Sequence, residues 1–256
     1  MNILCIDNSF AIDVTTYLHQ IARSANKDLN IGVLYIGGCS IKRHYNNIMN
    51  KDICDYEFWL NGNRVDNEYH NIFFGLNYMK WDYVTFQQVS TDSPDADSFY
   101  PELPLLLNEV RKYTDATYIL HRTWAYAPSH HHDRYGSNPM DQKAMHEDII
   151  KAYEEISKRT GISYIIPSGD AIYEGCIKYH WEMHRDGFHI NERGRTLCGI
   201  LWAYYFLGLD IDVTNYVPQG YSYDEITPPV SKEEYKELVK IAKEIIIKNR
   251  KHNLEA

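Results

Sequence analysis

Five short apolar runs alternate with helical patterns along most of this chain, and the runs end in polar or glycine residues. The runs cover residues 2–6, 31–36, 82–87, 116–120 and 163–166. Helical periodicity covers about residues 11–25, 41–49, 101–113, 142–159, 169–178 and 192–207, with a charged amphipathic helix over 231–251. Parallel strands need long crossovers, usually helices. The alternation therefore predicts a parallel sheet covered by helices on both faces. Asn61-Gly62-Asn63, flanked by aromatic and aliphatic residues, predicts a small surface hairpin inserted at about 54–70. No repeat or composition break divides the chain, so residues 1–256 read as one domain, and Pro228-Pro229 marks only the approach to the last helix.

Ligands of open parallel sheets gather at the carboxyl ends of the strands. Four polar or glycine-rich exits fall there: Asp7-Asn8-Ser9, Gly37-Gly38-Cys39-Ser40, Gln87-Gln88-Val89-Ser90 and His121-Arg122-Thr123-Trp124. A serine becomes a strong nucleophile only when a base takes its proton, and that base is usually a histidine oriented by a carboxylate. Asp186-Gly187-Phe188-His189, just before the last strongly apolar helix, supplies both. Ser9, Asp186 and His189 thus stand in the order nucleophile, orienter, base. The plainer reading of Ser9 is a helix N-cap. The Asp-x-x-His partner favours the nucleophile.

Ester hydrolysis also needs donors aimed at the oxygen that becomes negative. The N–H groups of Ser9 and Gly38 are candidates, with a side-chain amide from Gln88 or Gln87. Strand alternation puts the two glutamines on opposite faces, so one is expected at the site, with Gln88 preferred. Trp124 and Tyr126 follow the fourth strand, where they wall a cleft or simply pack. Asn8 and Ser90, at strand exits, are further candidate substrate contacts.

These residues resemble the SGNH (GDSL-type) hydrolases. The likeness is strongest to a poorly characterised branch that opens with a Gly-Asn-Ser-Phe-like motif and carries a Trp-Asp-Tyr-Val-x-x-Gln-Gln block. Here the motif reads Asp7-Asn8-Ser9-Phe10 and the block reads Trp81-Asp82-Tyr83-Val84-Thr85-Phe86-Gln87-Gln88. The resemblance spans roughly residues 2–209. It implies a flavodoxin-like three-layer α/β/α sandwich with a central parallel five-stranded sheet. It also implies esterase or lipase-type activity, often on acylated carbohydrates, with no metal or organic cofactor. Two positions depart from the pattern: Asp7 replaces the glycine, and the asparagine expected after the third strand is absent, leaving Gln87 or Gln88 in its place.

Lys and Arg total 26 against 35 Asp and Glu, a formal charge of -9, which argues against a nucleic-acid binder and against anionic membrane surfaces. No run reaches the length of a membrane span, and no signal segment is visible, so the sequence as it stands reads as cytoplasmic, the alternative being an exported form whose signal has been removed. Five widely spaced cysteines, Cys5, Cys39, Cys54, Cys176 and Cys198, form no Cys-x-x-Cys pair and predict reduced thiols. His130-His131-His132 reads as a solvated loop rather than a metal site. The segments near Ser9 mix aromatic and polar residues, which suits a sugar ring better than a lipid. The expected activity is hydrolysis of short acyl esters, acetyl foremost, on a small molecule or oligosaccharide. The alternative is a catalytically silent carbohydrate-binding or scaffold protein of the same fold, which Asp7 favours. Oligomeric state is not legible.

Overall fold

The first strand, β1 (Asn2–Asp7), alternates its side chains between two cores: Ile3 and Cys5 join one, Leu4 and Ile6 the other. A strand buried on both faces belongs at the centre of a covered sheet. The other strands are β2 (Asn30–Tyr35), β3 (Glu57–Leu60), β4 (Asn63–Arg64), β5 (Tyr83–Phe86), β6 (Thr117–His121) and β7 (Ile165–Ile166). They form one sheet in the order β4-β3-β2-β1-β5-β6-β7. The five strands β2, β1, β5, β6 and β7 pair in parallel, and β3 and β4 extend the β2 edge antiparallel. The computed structural model describes residues 1–216 and 230–254, so Pro228 and Pro229 lie outside the described residues.

Helices α1 (Ser9–Thr15), α2 (Leu18–Ser24), α7 (Ser168–Lys178), α8 (Glu192–Leu207) and α9 (Lys232–Lys248) pack on one face. On the other lie α3 (Ile41–Met49), α4 (Ile72–Tyr78), α5 (Glu102–Val110) and α6 (Pro139–Thr160). The three-layer α/β/α fold is thus as expected. Helix α8 is buried on nearly all sides because α1, α2, α7 and α9 enclose it, which explains its unbroken apolar run. Among the described residues, no helix is long and apolar enough to cross a membrane.

Three local differences have physical causes. The single helix expected over 11–25 is two, α1 and α2. Val14, Thr15 and Thr16 are consecutive β-branched residues, and the two threonine hydroxyls donate back to Ala11 O and Ile12 O at 2.7 Å, a pattern that weakens and bends helices. Helix α4 was not expected, because a glycine interrupts it. A Cβ on Gly75 would sit 2.6 Å from Leu34 Cγ, so the glycine lets α4 lie directly on β2. The hairpin is more than a surface insertion. Asn61 and Gly62 have φ of 53° and 82°, as a tight type I′ turn requires, and β3 continues the sheet beside β2.

Candidate active site

The turn from β1 into α1 is built by Asn8. Its Oδ1 accepts the Phe10 N–H at 3.1 Å, so Asn8 is the helix cap and Ser9 the first helical residue. Capping is therefore not the role of Ser9. Asn8 Nδ2 donates to Cys39 O at 3.0 Å, and Asn8 Oδ1 also accepts from Gln87 Nε2 at 2.5 Å. One buried amide side chain thus stitches together the exits of β1, β2 and β5.

Ser9 Oγ lies 2.8 Å from His189 Nε2, and His189 Nδ1 lies 2.7 Å from Asp186 Oδ2. The other oxygen, Asp186 Oδ1, accepts the backbone N–H groups of His189 at 2.8 Å and Phe188 at 3.2 Å. Partial burial pushes the Asp186 carboxyl up, but the side-chain and backbone hydrogen bonds of His189 outweigh it and hold Asp186 below its ordinary value. Gly187 makes the loop possible. It has φ +95°, and a Cβ there would fall 2.5 Å from His130 Cβ. Trp124 Nε1 pins the loop by donating to Phe188 O at 2.7 Å.

A second clamp lies one helical turn below Ser9. Asp13 is buried, and its carboxylate accepts Arg185 Nη1 at 2.9 and 3.1 Å, Arg195 Nε at 3.0 Å, Arg195 Nη2 at 2.9 Å and the Ile190 N–H at 3.2 Å. Arg195 Nη1 pairs in turn with Glu192 at 2.9 Å, and Tyr17 donates to Glu192. This group was not singled out from the sequence. Its signal was there: an aspartate inside the apolar stretch Phe10-Ala11-Ile12-Asp13-Val14, four residues after the serine on one helix face.

Asp7 ends β1 wholly buried, with Thr85 Oγ1 donating to Oδ2 at 2.9 Å. Burial raises its carboxyl to about 8, against the lowering effect of the bonds from Thr85 and the Gln87 backbone. This departure adds a side chain behind Ser9 whose burial disfavours the charged form.

Gly38 closes β2 in the left-handed region, φ +60°, with open space where a Cβ would stand. Other candidate contacts need correction. Gln88 is buried and its amide is spent: Nε2 donates to Ser98 O at 2.8 Å and Ser98 Oγ at 3.2 Å, and Oε1 accepts from Ile41 and Val89 N–H. Gln87 is buried against Asn8. Gln88 thus has its amide hydrogens committed to Ser98, away from the expected oxyanion position, and Gln87 Nε2 is directed at Asn8 rather than into open space. Asn8 is likewise buried and spent on cross-links. Trp124 walls no cleft: it is fully buried and stacks on Phe10, ring centroids 4.1 Å apart. Tyr126 is nearly buried, and its hydroxyl pairs with Ser90 Oγ at 2.9 Å. Of the three-histidine run only His131 is exposed, and His132 packs between Tyr126 and Tyr135.

Open space adjoins Ser9 on the opposite side. A groove of about 420 Å³ has Ser9 and His189 in its lining and runs between α1 and the β2–β3–β4 edge of the sheet.

A family model described as a domain of unknown function, DUF4886, matches residues 2–227. The chain is similar to a solved DUF4886 family protein from Bacteroides uniformis, at 31% identity over 96% of this chain and 95% of that one, with a TM-score of 0.81. A protein from Slackia heliotrinireducens, described as a candidate SGNH hydrolase, matches at 19% identity over 79% and 97% of the two chains, TM-score 0.55. An acetyl-xylooligosaccharide esterase from Geobacillus matches at 11% identity over 83% and 95%, TM-score 0.52. These last two likenesses establish a shared SGNH-hydrolase-like fold. None of the curated proteins compared with the chain matches it.

Proposed function

The chain belongs to the DUF4886 family, and we propose that this member is a serine esterase acting on short acyl esters of carbohydrates. The observation that carries the reading is the continuous hydrogen-bond chain from Ser9 Oγ through His189 to Asp186. Its 2.8 and 2.7 Å links lie in the range that proton transfer between heteroatoms requires.

In the proposed reaction His189 Nε2 takes the Ser9 hydroxyl proton as Oγ attacks the ester carbonyl. Asp186 keeps Nδ1 protonated and stabilises the imidazolium. The carbonyl oxygen becomes an oxyanion held by the N–H groups of Ser9 and Gly38. The first N–H groups of a helix have no intrahelical acceptor, so that of Ser9 is available. The imidazolium returns its proton to the departing alcohol, and water, deprotonated by the same imidazole, releases the acid. No metal or organic cofactor is needed.

Geometry weighs against the catalytically silent alternative. Asp7 was the feature favouring it, and burial pushes that carboxyl up to about 8, which disfavours a charge beside Ser9. The test is a chain-length series of nitrophenyl esters run beside acetylated xylan fragments and O-acetyl sialic acid, with wild type and Ser9→Ala. Peak efficiency at acetyl or another short chain, lost in Ser9→Ala, is expected. Peak efficiency at long chains with no acetate released from any sugar contradicts the substrate assignment. No turnover of any ester contradicts the esterase.

A further inference from the structure

The groove beside Ser9 has a composition that says what it can hold. Strand register places Val33 opposite Trp59 and Tyr35 opposite Glu57, and Trp59 opposite Arg64 on the next strand. All five line the groove, facing Ile12 and the end of α1. Thr15 and Thr16, which also line it, spend their hydroxyls on helix carbonyls. The middle of the groove is therefore apolar and aromatic. Its edges are charged. Glu57 accepts the Trp59 indole N–H at 3.1 Å and pairs with Arg64 at 3.3 Å, and the Asp13–Arg185 pair stands at the other side.

The bond to Glu57 fixes the indole while leaving the carboxylate with acceptor capacity. A linear hydrocarbon in this space would shield both ion pairs from water and return nothing for it. A sugar ring matches both parts, with apolar C–H faces for the indole and hydroxyls for the charged rim. The groove lies within the size range of small-ligand pockets and far exceeds the needs of an acetyl group. On the opposite side of Ser9, the stacked Phe10–Trp124 pair is fully packed.

We propose that the β3–β4 hairpin is the specificity element of the enzyme: the groove seats the alcohol half of the ester as a sugar ring on Trp59, with Glu57 and Arg64 binding its hydroxyls. This rests on the esterase reading for the reaction, but binding can be measured without it.

Acetate release from acetylated xylo-oligosaccharides and from ethyl acetate is compared for wild type, Trp59→Ala and Trp59→Phe. The ratio of the two efficiencies is expected to fall about tenfold in Trp59→Ala, mainly through KM, and to recover largely in Trp59→Phe, which restores a stacking face. A ratio unchanged in Trp59→Ala overturns the proposal. Isothermal calorimetry with acetylated xylotriose is run on Ser9→Ala and on Ser9→Ala with Trp59→Ala. Binding by the first and loss in the second is expected, whereas no binding by the first overturns the sugar subsite. Wild type that binds the sugar but releases acetate from neither ester overturns the esterase while leaving the groove standing.

Discussion

Asp13 Oδ2 accepts the backbone N–H of Ile190 at 3.2 Å, which ties the helix that carries Ser9 to the loop that carries His189. Asp13 sits four residues after Ser9 on α1, and Ile190 directly follows His189. Arg185 strengthens the tie from the other side of the loop. It pairs with Asp13, donates to Ile190 O, and its own N–H binds His189 O at 2.9 Å. The 2.8 Å approach of serine to imidazole is thus held from below.

Removing the carboxylate is expected to loosen that approach. Asp13→Ala leaves Arg195 buried without its main partner, a change worth roughly 3–5 kcal/mol of stability. Asp13→Asn keeps an acceptor for Ile190 and is the cleaner probe. Its kcat is expected to fall about tenfold or more with KM little changed, because a small misplacement of base against nucleophile is costly. Steady-state kinetics well below the melting temperature checks this. Wild-type kcat in a folded Asp13→Asn would show that the clamp does not position the base.

Asn8 is expected to set the spacing of the two proposed oxyanion donors, since it joins the Ser9 turn to the Gly38 turn through Cys39 O. Asn8→Ala should cost about a hundredfold in kcat, comparable to losing one oxyanion donor. Gln87→Ala should show a smaller loss of the same kind through its bond to Asn8. Gln88→Ala, whose amide serves Ser98 and the start of α3, should lower the melting temperature more than turnover. A large kcat loss in a thermally intact Gln88→Ala would return that side chain to the oxyanion hole.

Asp7 gives the fold a distinctive pH dependence. Its carboxyl titrates near 3.8 when unfolded and about 8 when folded, because burial raises it. The native state holds a proton that the unfolded chain releases. Its contribution is therefore full below about pH 4 and is lost as pH rises to about 8, by up to about 1.4 kcal/mol per unit. His44, His121 and His184 act in the opposite sense. Burial lowers them from 6.5 to about 3, 3 and 4, so their contribution is full above 6.5 and is lost as pH falls. Calorimetry is expected to find greatest stability near about pH 6.5. Asp7→Asn should gain on wild type between pH 6 and pH 9. A constant difference between the two proteins across that range would contradict the buried neutral acid.

The sheet and the three residues Ser9, Asp186 and His189 were legible because strand period, helix period and the Asp-x-x-His spacing are local signals. The surroundings of the site were not. Trp124 after the fourth strand could wall a cleft or simply pack; Phe10 covers it, and nothing local announces that stack. Gln88 carried the right chemistry, but its length lets it reach Ser98. Trp59 and Glu57 were not singled out; they lie inside the segment read only as a small surface hairpin. Only the pairing of β3 with β2, a contact across about 25 residues of sequence, brings them alongside the serine.

The most direct test of an activated serine is covalent labelling with a fluorophosphonate, followed by peptide mass spectrometry. An activated Oγ displaces fluoride and gains the phosphonyl group, whereas an ordinary serine stays unlabelled. The expected result is one adduct on the peptide containing Ser9, absent from Ser9→Ala and strongly reduced in folded His189→Ala. No adduct at Ser9, or ester hydrolysis that survives in Ser9→Ala, would contradict the assignment of Ser9 as the nucleophile.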